Sequence, residues 1–118
     1  MSEYQGTFSV QNLTGGTITN VVAQHSTSYW GQSLVQSQSL ANNASATGGK
    51  VVTSTSQTDY WTVSFINGAG LLVVGSTSCG FESDDNGGNV NLQLFGSYFS
   101  VIMPASSSCT NNSYNTSS

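Results

Sequence analysis

The chain has 118 residues, of which Ser, Thr, Asn and Gln supply 54 and Asp, Glu, Lys and Arg only 6, where an ordinary globular protein is about 25% charged. Its formal charge is −4 and Lys50 is the single basic side chain apart from His25, so no cation array exists to displace counterions from a nucleic acid or to grip an anionic membrane. DNA and RNA are therefore excluded as partners, and the surface must be wetted by hydroxyls and amides.

Eleven Val, seven Leu, five Phe, five Tyr and two Trp suffice for the core of one domain of this length. The opening MSEYQGTFSV contains no basic, apolar leader, and no apolar run approaches the roughly 20 residues of a membrane helix. A cytoplasmic protein is expected, and the glycosylation triplets at Asn12, Asn43, Asn111 and Asn115 read as accidents of composition. Apolar residues recur with period 2 and never hold a 3.6 spacing for three turns.

The pattern predicts strands near 4–13, 17–26, 33–39, 46–55, 60–66, 70–78, 89–95 and 98–103. NLTGGT, with Gly15 and Gly16, is expected to join the first two as a tight hairpin. INGAGL, turning at Asn67 and Gly68, is expected to join the fifth and sixth in the same way. About eight short strands that must shelter their Val, Leu and Phe imply an all-β fold, a single-domain antiparallel β-sandwich over residues 1–104. Residues 105–118 are polar and form a tail or an arm, with Cys109 and Tyr114 as its anchors.

Several residues invite a functional reading. In DYWTVSF, alternation places Trp61 with Val63 and Phe65 toward the core, and Tyr60 with Thr62, Ser64 and Ile66 on the polar face. In HSTSYWGQS, Tyr29 and Trp30 fall between strands, as a lid on the core or a platform for a ligand. His25 reads as a hydrogen-bonded strand residue, since no nucleophile elbow accompanies it. The run CGFESDDNGGN carries Glu82, Asp84 and Asp85, too close together to flank a glycosidic bond. It reads as a solvated turn reversing at Asn86, Gly87 and Gly88, with a calcium loop or a sugar-hydroxyl site as the alternative. Cys79 and Cys109 are too few for a zinc site; they either bridge or remain free thiols.

The segments NLTGGTITNVVAQHS, DYWTVSF and CGFESDDNGGNVNL resemble the PUD-like family of small fungal and bacterial proteins, which is similar to the aegerolysins, over roughly residues 4–104. The resemblance implies a β-sandwich and a non-enzymatic recognition module, with membrane lipids as the target known for aegerolysins, and it assigns no binding residue.

Three readings follow. The first is a lectin-like defence protein of the kind fungi keep in the cytoplasm, binding a glycan or glycoconjugate through Tyr29, Trp30 and Tyr60 with Asp59, Asp85 and Asn86 nearby, and needing no cofactor or metal. Rings stack on sugar C–H groups while neutral amides and carboxylates take the hydroxyls. The second is an aegerolysin-like protein that binds a membrane lipid. The third is a self-associating protein, such as a homodimer paired through edge strands guarded by few charges.

Overall fold

The computed structural model describes residues 3–27, 32–54, 58–110 and 114–117. The alternating segments form β1 (Glu3–Asn12), β2 (Ile18–Thr27), β3 (Ser33–Leu40), β4 (Ser45–Ser54), β5 (Asp59–Ile66), β6 (Leu72–Ser78), β7 (Asn89–Leu94) and β8 (Phe99–Ile102). Two short strands follow, β9 (Cys109–Thr110) and β10 (Asn115–Ser117), making ten where eight were expected. They make two five-stranded sheets packed as a sandwich, one ordered β4-β1-β7-β8-β9 and the other β10-β6-β5-β2-β3.

Side chains with period-2 spacing from both sheets meet in the core. Phe8, Val10, Val51, Val90, Leu92, Leu94, Phe99 and Val101 come from the first sheet, and Ile18, Val21, Ala23, Trp61, Val63, Phe65 and Val73 from the second. Trp61 is fully buried, as its alternation with Val63 and Phe65 requires. Its ring meets Phe8 edge-on at 5.6 Å, and its indole N–H donates to the Cys79 carbonyl at 2.8 Å. A buried Trp keeps its full apolar contribution only when that N–H has a partner.

Two expectations need correction. NLTGGT does not close a hairpin, because β1 and β2 belong to different sheets. Asn12 shapes this crossover: its side-chain oxygen accepts from the Thr14 N–H and hydroxyl, and its amide donates to the carbonyls of Gly16 and Leu40. The sandwich is also not wholly antiparallel, since β1 and β7 pair in parallel, with Thr7 opposite Asn89 and Gln11 opposite Gln93. Periodicity is the same for both pairings, so strand direction could not be read from it.

INGAGL does connect two antiparallel strands, with Ile66 opposite Leu72. The Asn67 side chain accepts from the N–H groups of Ala69 and Leu71, and the left-handed residue is Gly70, at φ 82°, rather than Gly68.

Residues 105–118 supply an edge strand to each sheet, β9 against β8 and β10 against β6. Between these strands Tyr114 lies parallel to Phe99 at 6.3 Å and edge-on to Phe65 at 5.6 Å. The segment is pinned by a Cys79–Cys109 disulfide with Cα atoms 5.8 Å apart and a sequence separation of 30. Gly75 makes room for it, since a Cβ there would come within 2.8 Å of the Tyr114 ring. Replacing both cysteines by serine should lower the unfolding free energy by about 3–4 kcal/mol, the loop-closure value for a ring of this size. Urea midpoints of parent and variant check this, and equal midpoints would mean that the edge strands hold without the bridge.

Candidate functional site

One end of the sandwich brings together Asp59 and Asp85 of the six binding candidates, with His25 and the Cys79–Cys109 disulfide close by. There the start of β5 meets the segments 79–88 and 103–108 around a cavity of about 460 Å³, lined among others by Tyr4, Ser54, Asp59, Phe81, Glu82 and Ser107. Two carboxylates organise this end, and both are buried.

Asp59 begins β5 on the inward-facing side and is 2% exposed. One of its oxygens lies 2.8 Å from Nε2 of His25, equally buried on β2, and the other accepts the Phe81 N–H at 2.9 Å. Its backbone carbonyl accepts the Cys79 N–H at 3.1 Å. His25 is thus a hydrogen-bonded strand residue whose ring also packs against Trp61 at 4.5 Å between centroids. The Asp59 carboxylate holds β2, β5 and the chain after β6 together, so the cavity wall is built on it.

Asp85 closes a 3-10 turn, Ser83–Asp85, and is 1% exposed, so the acidic run is not the fully solvated turn expected. One carboxylate oxygen accepts the N–H groups of Ala105 and Ser106, at 2.9 and 2.8 Å, and the other accepts the Glu82 N–H and the Ser106 hydroxyl. Four donors fill the lone pairs through which this acid would take a sugar hydroxyl or a cation. Among the described residues no group of three or more His, Cys, Asp or Glu is clustered as a metal site. Burial pushes the Asp85 carboxyl up, but the Ser106 hydroxyl and the backbone N–H groups of Glu82, Ser106 and Ala105 together hold it below its ordinary value.

The remaining candidates are dispersed. Tyr60 is 45% exposed and stands on the outer face of the second sheet, with Ser26 and Ser78 opposite it on the neighbouring strands. Asn86 is exposed and accepts the Gln5 N–H through its side-chain oxygen at 2.8 Å. Tyr29 and Trp30 lie outside the described residues. Tyr4, Phe81, Glu82, Ser83 and Ser107 line the cavity and were not singled out as binding residues in the sequence. For Glu82 a local signal existed, because ESDD places Glu82 and Asp85 three apart, the spacing of a capping box. The Asp85 half of that box is formed by the Glu82 N–H at 2.8 Å, and the Asp85 N–H donates to the Glu82 backbone carbonyl at 2.9 Å.

The sequence matches no known family model and no curated protein. No helix among the described residues is long and apolar enough to cross a membrane.

Because Asp85 is held below its unfolded value of about 3.9, its stabilisation is complete above that pH and is lost as pH falls through the lower folded value. Asp85→Asn should cost about 2–3 kcal/mol at pH 7, since an amide cannot receive all four donors. Its melting temperature should also fall less steeply than the parent's below about pH 4. Thermal melts from pH 7 to pH 2 test both, and parallel curves would show that Asp85 contributes no acid sensitivity.

Proposed function

We propose that the protein is a non-enzymatic, lectin-like recognition module whose cavity at the 79–88 end takes an uncharged saccharide. The observation that carries this reading is the chemistry left free in the cavity once the buried acids are satisfied. Ser83 and Ser107 bring exposed hydroxyls, Glu82 brings an exposed carboxylate, and Tyr4 and Phe81 bring aromatic carbon. Hydroxyls and one carboxylate beside aromatic carbon suit sugar hydroxyls and C–H faces, and the lining contains no cation for a phosphate or sulfate. Walls tied by Asp59 and Asp85 are fixed before a ligand arrives, which lowers the ordering cost of binding.

Asp59 and Asp85 then act by shaping the cavity, while Glu82 and the serines make contact. A glycan array probed with the parent should give a defined set of neutral ligands. Glu82→Gln, exposed and outside the core, should weaken them about 5- to 50-fold, the loss expected for one charge-assisted hydrogen bond, without shifting the melting temperature. Empty arrays, or equal binding by the variant, would remove this reading; retention on sphingolipid vesicles instead would transfer the protein to the lipid-binding alternative.

A second reading, self-association, is favoured by the outer face of the second sheet. The exposed large hydrophobics Leu34, Tyr60 and Leu72 all stand there, with half-buried Ile66 opposite Leu72, half-buried Val22 and Val74 on either side of Ser64, and no charged side chain on that face of β2, β3, β5 or β6. Like charge opposes pairing of a protein of charge −4, and this face holds none of it. Sedimentation equilibrium should then show a dimer that dissociates in a Leu34→Lys, Leu72→Lys double variant, and a parent monomeric at high micromolar concentration would end this reading.

A further inference from the structure

We infer that the outer face of the first sheet is a second binding site, an uncharged strip along β1 and β7 that holds an extended neutral polysaccharide. It shares the carbohydrate chemistry of the proposed function but rests on other residues, so either site can fail alone. The strip is read from the parallel pairing, which sets Thr7, Ser9 and Gln11 of β1 opposite Asn89, Asn91 and Gln93 of β7.

Five of these side chains and one carbonyl form a continuous chain of hydrogen bonds. Thr7 donates to Asn89 at 2.8 Å, Asn89 to Ser9 at 3.2 Å, and Ser9 to Asn91 at 3.4 Å. Asn91 donates to Gln11 at 3.2 Å, and Gln11 reaches the Asn43 carbonyl at 3.5 Å. Each bond runs in the same sense, so each polarises the next. Asn89 and Asn91 each donate one N–H and accept one bond within the chain. One N–H and one lone pair per amide remain, held in fixed directions. A sugar hydroxyl is both donor and acceptor, and a paired, immobilised donor and acceptor is what it needs.

The residue types are hard to explain by folding alone. Asn is depleted in strands, yet β7 reads NVNLQL with Val90, Leu92 and Leu94 buried and amides at every outward position. Thr or Val there would serve the sheet better, and a local rule broken in the middle of a sheet points to a function. β1 and β7 are interior strands of their sheet, so the strip is not an exposed edge.

At the far end the strip meets aromatic carbon. Phe95 and Tyr98, both partly exposed, stack at 4.9 Å with 24° between their planes where β7 turns into β8. Beside the amides, the Ser100 and Thr110 hydroxyls are 3.1 Å apart. No acidic residue occurs on β7 or β8; Glu3, which accepts from Gln5 at the start of β1, lies beyond the strip, and Lys50, opposite Thr7 at one corner, is the nearest cation by strand register. From Asn89 to Phe95 the strip runs about 20 Å at the rise of a strand, longer than one sugar ring fills. A linear, uncharged chain lying along the strands matches this length, these groups and this lack of charge.

The test is co-sedimentation of the full chain with cellulose, chitin and insoluble β-glucan, each uncharged, in low and high salt. The parent should be retained by at least one of them, with retention unchanged by salt. Asn91→Val with Gln93→Val keeps the strand pattern and raises β propensity, so it should melt no lower than the parent while its retention falls at least 5-fold. Glu82→Gln should be retained like the parent, which separates the strip from the cavity at the other site. No retention of the parent on any polymer would overturn the inference, as would equal retention of the double valine variant. Either result leaves array binding through the cavity standing.

Discussion

A carboxylate buried in a protein with almost no cations must be satisfied by something other than a lysine or arginine, and the loop end of this sandwich is built around that requirement. An unsatisfied buried charge costs several kcal/mol. Lys50 is exposed on β4. Asp59 is instead met by His25 and the Phe81 N–H, and Asp85 by three backbone N–H groups and the Ser106 hydroxyl. Each acid therefore draws in backbone from segments that would otherwise be free loops. The result is one connected unit: β2 and β5 through His25 and Asp59, the chain at 79–82 through Cys79 and Phe81, and the chain at 105–106 through Asp85. The disulfide to Cys109 and the Trp61 bond to the Cys79 carbonyl tie the same unit into the core.

The strands were legible because alternation is a direct consequence of one wet and one dry face. All eight predicted segments lie within two residues of observed strands at their ends, and the Tyr60/Trp61 division of faces follows from the same period. What alternation does not encode is which strand neighbours which. NLTGGT looks like a hairpin because Gly15 adopts φ 99°, but a crossover between sheets needs the same freedom. The two short strands at the C-terminal end were hidden because CT and NTS are too short and too polar to show a period.

The site was legible in part, and the reason is again burial. Asp59 and Asp85 stand out in a chain with five acids, and both belong to the loop end. Their hydrogen bonds were not legible, because a sequence shows that an acid is present without showing how many backbone donors converge on it. Phe81 and Tyr4 were overlooked because each sits in an unremarkable position, one after a Gly and one at a strand start. The amide chain on β1 and β7 was equally invisible: it depends on a parallel pairing between residues about 80 positions apart, and no local pattern announces such a pairing.

The two sheets expose different chemistry, and this follows from the same composition. Each must present neutral groups, since there are too few charges to cover either face. On the second sheet the neutral groups include Leu34, Tyr60 and Leu72, whose apolar area favours contact with another apolar surface. On the first they are amides and hydroxyls already bonded to one another, which leaves them a fixed remainder of donors and acceptors. A face of the first kind gains free energy by excluding water; one of the second kind exchanges water for hydroxyls at little ordering cost. A charge-poor sandwich thus places two different kinds of neutral surface on opposite sides of one core.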